Sequence, residues 1–92
     1  MYYLYNSYSL PSKKDGEFYT EEDLNNVKLF DFNSVKELED FWREECIYQE
    51  WWPVYKILNN SFNITCFDTE DEAKREVLKI ENRMLKRRQE II

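Results

Sequence analysis

The chain has 92 residues, of which 42% are hydrophobic and 17% aromatic, and its formal net charge is −6 at pH 7. This length and this aromatic content suit one folded domain, 1–92, with one modest core, and they argue against wholesale disorder. The absence of histidine and the single glycine exclude Ser-His and Cys-His nucleophiles and a glycine-rich phosphate loop. We therefore expect a protein that is not an enzyme and that holds no cofactor and no metal.

The first predicted element is a strand over residues 2–9, because aromatic side chains dominate this stretch and partly alternate with polar ones. A loop follows, with Gly16 available for a turn. Thr20 and Asp23 then have the spacing of a capping box, which predicts a short helix. Strand character resumes in VKLFDF, residues 27–32.

A stronger helical signal begins at Ser34, which forms a second capping box with Glu37. Apolar residues recur at helical spacing as far as Cys46, so the pattern predicts a helix over about 34–48. The stretches WWPVYKIL and SFNITCF then predict two strands of a hairpin that turns at Asn59-Asn60.

The last predicted element is a long helix from residue 70 to about residue 90, opened by a capping box of Thr69 and Glu72. Together these elements predict an α+β fold, with an antiparallel sheet of about four strands and two main helices packed on one face of it. Apolar pairs repeat along the last helix at intervals of seven. They form either a broad core stripe alone or also a homodimer seam, and the contact residues would then include Met84, Leu85 and Ile91.

Charge is distributed unevenly along the chain. Residues 15–72 hold 16 acids against four cations, whereas residues 73–92 hold seven cations against three acids. Acidic residues in the first turn of a helix stabilise that helix through a favourable interaction with its dipole, so they need no binding partner to explain them. The row Glu37, Asp40 and Glu44 continues beyond that turn without evident compensation, and like charges one turn apart repel each other.

Such a surface suits a basic partner, with each carboxylate in the place of a DNA phosphate. The candidate phosphate-mimicking residues are Glu21, Glu22, Asp23, Glu37, Asp40, Glu44, Glu45 and Glu50.

The acidic middle of the chain (Glu17–Glu50), its compact size and its frequent Tyr, Asn and Lys resemble the small early host-takeover proteins of T4-like phages, and among them the DNA-mimic anti-restriction proteins. The resemblance implies a non-enzymatic inhibitor, dimeric in form, that occupies the DNA site of a host restriction nuclease or nucleoid protein. Direct contact with nucleic acid is not expected, because the basic stretch near the end of the last helix has only four cations without interleaved aromatics and the chain as a whole is acidic. The first ten residues do not have the pattern of a signal peptide, and no stretch is apolar enough to span a membrane. We therefore expect a cytoplasmic protein, in the host cell if a phage encodes it.

A second functional hypothesis comes from IYQEWWPVY, residues 47–55, which holds four aromatic side chains. Strand alternation places Trp51 and Trp52 on opposite sides, so both cannot face one small core. One of them is then a core residue, and the other packs under a helix, lies at a subunit contact or forms a recognition site for a partner. The alternative function is a small protein–protein adaptor with a hydrophobic contact surface that includes Trp51 or Trp52 and the Ile91 end of the last helix.

Overall fold

The computed structural model describes residues 1–46 and 50–90. Within these ranges the strands are β1 Tyr2–Asn6, β2 Leu29–Phe32, β3 Trp51–Pro53, β4 Tyr55–Leu58 and β5 Ser61–Ile64. The α-helices are α1 Val35–Phe41 and α2 Glu70–Glu90, and the predicted α+β class is confirmed. Short 3-10 helices span Ser7–Ser9 and Glu21–Asn26, and a π-helical segment, Trp42–Cys46, continues α1.

The strands form two antiparallel sheets, so the prediction of one sheet with about four strands is wrong. A three-stranded sheet has the order β2-β1-β3, and β4 pairs only with β5. The chain passes from one sheet to the other at Val54. Its N–H donates to the Tyr3 carbonyl at 3.0 Å, and its carbonyl accepts from the Thr65 N–H at 3.2 Å. The stretch WWPVYKIL is therefore divided between two sheets, with Pro53 as the last residue of β3.

The two α-helices cover opposite faces of the three-stranded sheet, which corrects the prediction that both lie on one face. Tyr3 and Tyr5 of β1 belong to the core that contains Val77 of α2. Leu4, between them, packs with Leu38 of α1. Because the middle of β1 is apolar on both sides, both of its faces require a cover, and one helix supplies each.

The local signals in the sequence mark the element ends well. The hydroxyls of Ser34 and Thr69 cap their helices, since each accepts from the N–H three residues further on, at 3.2 Å in both cases. Asn59 and Asn60 have φ values of 51° and 65°, as a type I′ hairpin turn requires. Helix α2 has the bounds that its pattern predicts.

Two predicted elements end early in the structure. Strand β1 ends at Asn6, whose side-chain carbonyl accepts from the Tyr8 N–H at 2.9 Å and so starts the Ser7–Ser9 turn. The helix that begins after Ser34 leaves the α conformation at Phe41. The last two residues of its predicted span lie outside the described residues. Among the described residues, no helix has both the length and the apolarity that crossing a membrane requires.

Candidate functional site

The carboxylates of α1 are partly matched by groups of the same chain. Lys36 Nζ lies 2.9 Å from Asp40 Oδ2, and the hydrogen bond to Asp40 raises the pKa of Lys36. A Glu37 oxygen accepts at 3.3 Å from the N–H of Asn33, the residue before the helix cap Ser34. The expectation of a row without compensating cations is therefore wrong at Asp40, and Glu37 has a structural role within the first turn.

Asp23 is also engaged within the chain. Its carboxylate accepts from the Thr20 N–H at 2.8 Å and lies 3.2 Å from Lys13 Nζ. The hydrogen bond from Thr20, with the one from Lys13, lowers the pKa of Asp23. Asp23 therefore anchors the Glu21–Asn26 helix rather than facing a partner, and Glu21 and Glu22 beside it are exposed.

The predicted carboxylates do not lie along a single flank. The Glu21–Asn26 helix packs on the α2 side of the sheet through Leu24, whereas α1 lies on the other side. Glu44 and Glu45 are exposed on the π-helical segment. Glu50 lies apart from them, in the lining of a cavity beside α2. A continuous DNA-like row across these positions is not what the structure shows.

The two neighbouring tryptophans have different environments. Trp51 is 8% exposed and stacks on Phe30, with 4.2 Å between the ring centroids, so it is a core residue and cannot make a surface contact. Trp52 is 44% exposed, and its ring lies 6.2 Å from that of Trp42. The Trp42 indole N–H donates to the Trp51 carbonyl at 2.6 Å and thereby covers part of the open edge of β3.

Of the predicted contact residues of α2, one is buried and one is exposed, as with the two tryptophans. Leu85 is buried in the core, so it cannot form a dimer seam. Met84 is 55% exposed. Ile91 lies outside the described residues.

A continuous apolar surface lies on one side of the β4–β5 hairpin. The pairs Tyr55↔Ile64 and Ile57↔Phe62 point to the same side because cross-strand partners share a face. We call this surface, with the adjacent part of β3, the hairpin face; its residues are Trp52, Pro53, Tyr55, Ile57, Phe62 and Ile64. It contains a shallow cavity of about 390 Å³.

Phe62 is the most exposed residue of the hairpin face. Its side chain is 71% exposed, and its ring contacts that of Tyr55 edge-on, with 4.7 Å between centroids. Large apolar side chains grouped in this way on a surface mark interaction sites more often than isolated ones do. Aromatic side chains are also the ones that contribute most to binding at interfaces.

A second cavity, of about 300 Å³, lies between α2 and β3, and we call it the α2–β3 cavity. Trp52 and Tyr55 line both cavities and so form the wall between them. The other residues that line it are Tyr5, Ser7, Glu50, Ile80, Glu81 and Met84.

Glu81 is a half-buried charged group that lines the α2–β3 cavity. One of its oxygens accepts from the Tyr5 hydroxyl at 2.7 Å. Burial raises the pKa of Glu81, and this hydrogen bond opposes the rise only in part. Burial and the nearby Glu81 charge also raise the pKa of Tyr5.

The patterns in the sequence did not single out Tyr55, Phe62 or Glu81. For Glu81 a signal exists, because it lies four residues from both Val77 and Leu85 and so falls on the apolar stripe of α2. For Phe62 no comparable signal exists, since SFNI is typical of a strand whichever side is buried.

Comparisons with protein-family models, with curated proteins and with solved structures find no match for this chain. Within the part of the chain that the structure describes, no three Cys, Asp or Glu side chains come together as metal ligands. The surfaces themselves therefore carry the functional argument.

Proposed function

We propose that this chain is a non-enzymatic binding protein, a small protein–protein adaptor whose contact surface is the hairpin face. The observation that carries this proposal is the exposure of Phe62 and Trp52, which both line one apolar cavity. Burying such side chains against a partner removes apolar area from water at about 25 cal/mol per Å². The isolated chain gains nothing from leaving them exposed.

The test is affinity capture from a bacterial lysate by the wild-type chain and by Phe62→Ser. Tyr8→Ser is the matched control, because Tyr8 is 78% exposed but does not line either cavity. Partners that bind the hairpin face are captured by the wild type and by the control, remain bound in high salt, and are lost with Phe62→Ser. Capture that Phe62→Ser leaves unchanged would contradict the proposal.

A second candidate function is the inhibition of a basic DNA-binding protein, such as a restriction nuclease or nucleoid protein, through an acidic surface. The separation of charge across the sheet favours it. Residues 35–46, in α1 and the π-helical segment, hold five carboxylates against two cations. Helix α2, which packs on the opposite face through Val77 and Ile80, is cationic in its second half. This acidic surface is smaller than the predicted set of eight phosphate-mimicking carboxylates, and its exposed residues include Glu44 and Glu45.

The two candidates differ in their dependence on salt and on DNA. A partner bound through Glu44 and Glu45 is released by high salt or by excess duplex DNA, and the double variant Glu44→Lys, Glu45→Lys does not capture it. Neither side chain caps a helix or pairs with a cation among the described residues, so the double variant is expected to fold. Capture that survives both treatments and the double variant would exclude the acidic surface.

A further inference from the structure

The α2–β3 cavity combines aromatic walls with two carboxylates. Tyr5, Trp52 and Tyr55 line it, together with Glu50 and Glu81. Aromatic faces attract cations through their quadrupoles, and a carboxylate that has lost part of its hydration gains from a positive charge nearby. Among the described residues that line the cavity, none is a lysine or an arginine. The negative charge of the cavity is therefore not balanced from within its own wall.

Glu50 is held at the cavity in an uncommon backbone conformation. Its φ is 58°, a left-handed value that costs free energy in a residue other than glycine. Its carbonyl accepts from the Ser7 N–H at 3.0 Å and from the Ser7 hydroxyl at 3.2 Å, which fixes the turn that leads into β3. Glycine adopts this conformation without strain, yet the position carries a carboxylate that lines the cavity.

We propose that the α2–β3 cavity binds an alkylated ammonium group, with its methyl groups against Trp52, Tyr55 and Met84 and its charge facing Glu50 and Glu81. The apolar lining suits a cation that carries methyl groups better than one that must donate several hydrogen bonds. A hard metal ion needs about six oxygen ligands, and this wall does not present that many. A neutral apolar ligand would cover the Glu81 carboxylate without compensating its charge. The volume, about 300 Å³, is at the lower end for ligand cavities and fits a head group.

The same head group occurs on free small molecules such as choline and on trimethylated lysine side chains of proteins. The site does not depend on the proposed adaptor function, because Phe62 does not line the α2–β3 cavity. Phe62→Ser is therefore expected to remove partner capture and to keep cation binding, whereas Glu81→Gln has the opposite effect.

The test measures binding of choline chloride to the full chain through the intrinsic tryptophan fluorescence, with sodium chloride at equal ionic strength as the blank. The neutral isostere 3,3-dimethyl-1-butanol is the matched probe, because it has the same shape without the charge. We expect choline to bind at least about tenfold more tightly than this alcohol. Equal affinities, or no choline binding, would overturn the proposal. A trimethyllysine peptide distinguishes the sources: tighter binding than choline indicates a protein side chain, and equal binding indicates that the head group suffices.

Variants separate a binding role from a structural one. Glu50→Gly removes a carboxylate and also removes backbone strain, so we expect weaker choline binding with a melting temperature that does not fall. Glu81→Gln keeps the shape and a hydrogen-bond acceptor for Tyr5, and we expect it to weaken choline binding about tenfold while the alcohol binds as before. Glu90→Gln, on the exposed surface of the same helix, is the control. Choline affinity that is unchanged in both Glu50→Gly and Glu81→Gln would overturn the assignment.

Discussion

The hydroxyl of Tyr5 donates a hydrogen bond of 2.7 Å to Glu81, and this contact joins the central strand β1 to helix α2 at the wall of the α2–β3 cavity. It holds a carboxylate in a half-buried position between the buried residues Val77 and Leu85 of the helix. A neutral donor compensates the lost hydration of a charged group only in part, and the pKa of Glu81 is raised as a result.

Replacing Tyr5 by Phe removes this hydrogen bond and keeps the ring in the core. We expect the free energy of unfolding, measured by urea denaturation, to fall by about 1–2 kcal/mol. Tyr8→Phe is the control, since Tyr8 is exposed and its hydroxyl makes no hydrogen bond to the described residues. Equal losses in the two variants would mean that the contact with Glu81 contributes nothing.

The stability of Glu81→Gln relative to the wild type is expected to depend on pH. The pKa of Glu81 is higher in the folded than in the unfolded state. At pH values between these two pKa values, the native protein therefore holds a proton that the unfolded chain has lost. The wild type therefore loses stability as pH rises through the folded-state pKa, and Glu81→Gln does not. In urea denaturation between about pH 4 and pH 7, the free energy of unfolding of Glu81→Gln should rise relative to that of the wild type as pH increases. The difference between Glu90→Gln and the wild type should not change with pH. A difference that is constant with pH would contradict the burial of this charge.

Leu38 connects α1 to its own side of the sheet and is fully buried. We expect Leu38→Ala to lower the free energy of unfolding by about 2–5 kcal/mol, because the truncation leaves a cavity between α1 and Leu4. Leu58→Ala is the matched control on the exposed hairpin and should change it by less than about 0.5 kcal/mol. Similar small effects at both positions would show that α1 does not cover this face.

Phe62→Ser is expected to change the surface without changing the fold. Because most of the Phe62 side chain is in water, the free energy of unfolding should stay within about 0.5 kcal/mol of the wild-type value. Binding of the fluorescent dye ANS, which reports exposed apolar surface, should decrease, and Tyr8→Ser should leave it unchanged. Dye binding that persists in Phe62→Ser would place the accessible apolar surface elsewhere.

The sequence predicts the local structure of this chain better than its layers. Helix caps and tight turns depend on only three or four consecutive residues, so they can be recognised from the sequence alone. Examples are the caps at Ser34 and Thr69 and the turn at Asn59-Asn60. The division of the sheet at Val54 depends instead on hydrogen bonds to Tyr3 and Thr65, and Tyr3 is distant in sequence. The placement of α1 and α2 on opposite faces follows from the apolar run in β1. The prediction that both helices pack on one face of the sheet did not take this run into account.

The candidate site is partly predictable from the same patterns. The spacing of Lys36 and Asp40, four residues apart on a helix, is by itself enough to indicate an ion pair. Alternation at Trp51 and Trp52 correctly indicates that one is buried, but the choice between them depends on which face of β3 meets α1. The grouping of Trp52, Tyr55 and Phe62 arises only when the hairpin folds beside β3.

The most direct test of the adaptor proposal is amide hydrogen exchange of the chain, alone and with a partner obtained by capture. If the hairpin face is the contact surface, protection increases in β4 and β5 and around Trp52, and exchange in α1 and at Glu44 and Glu45 is unchanged. Protection confined to α1 and the π-helical segment, with β4 and β5 exchanging as in the free chain, would contradict the proposal and favour the acidic surface.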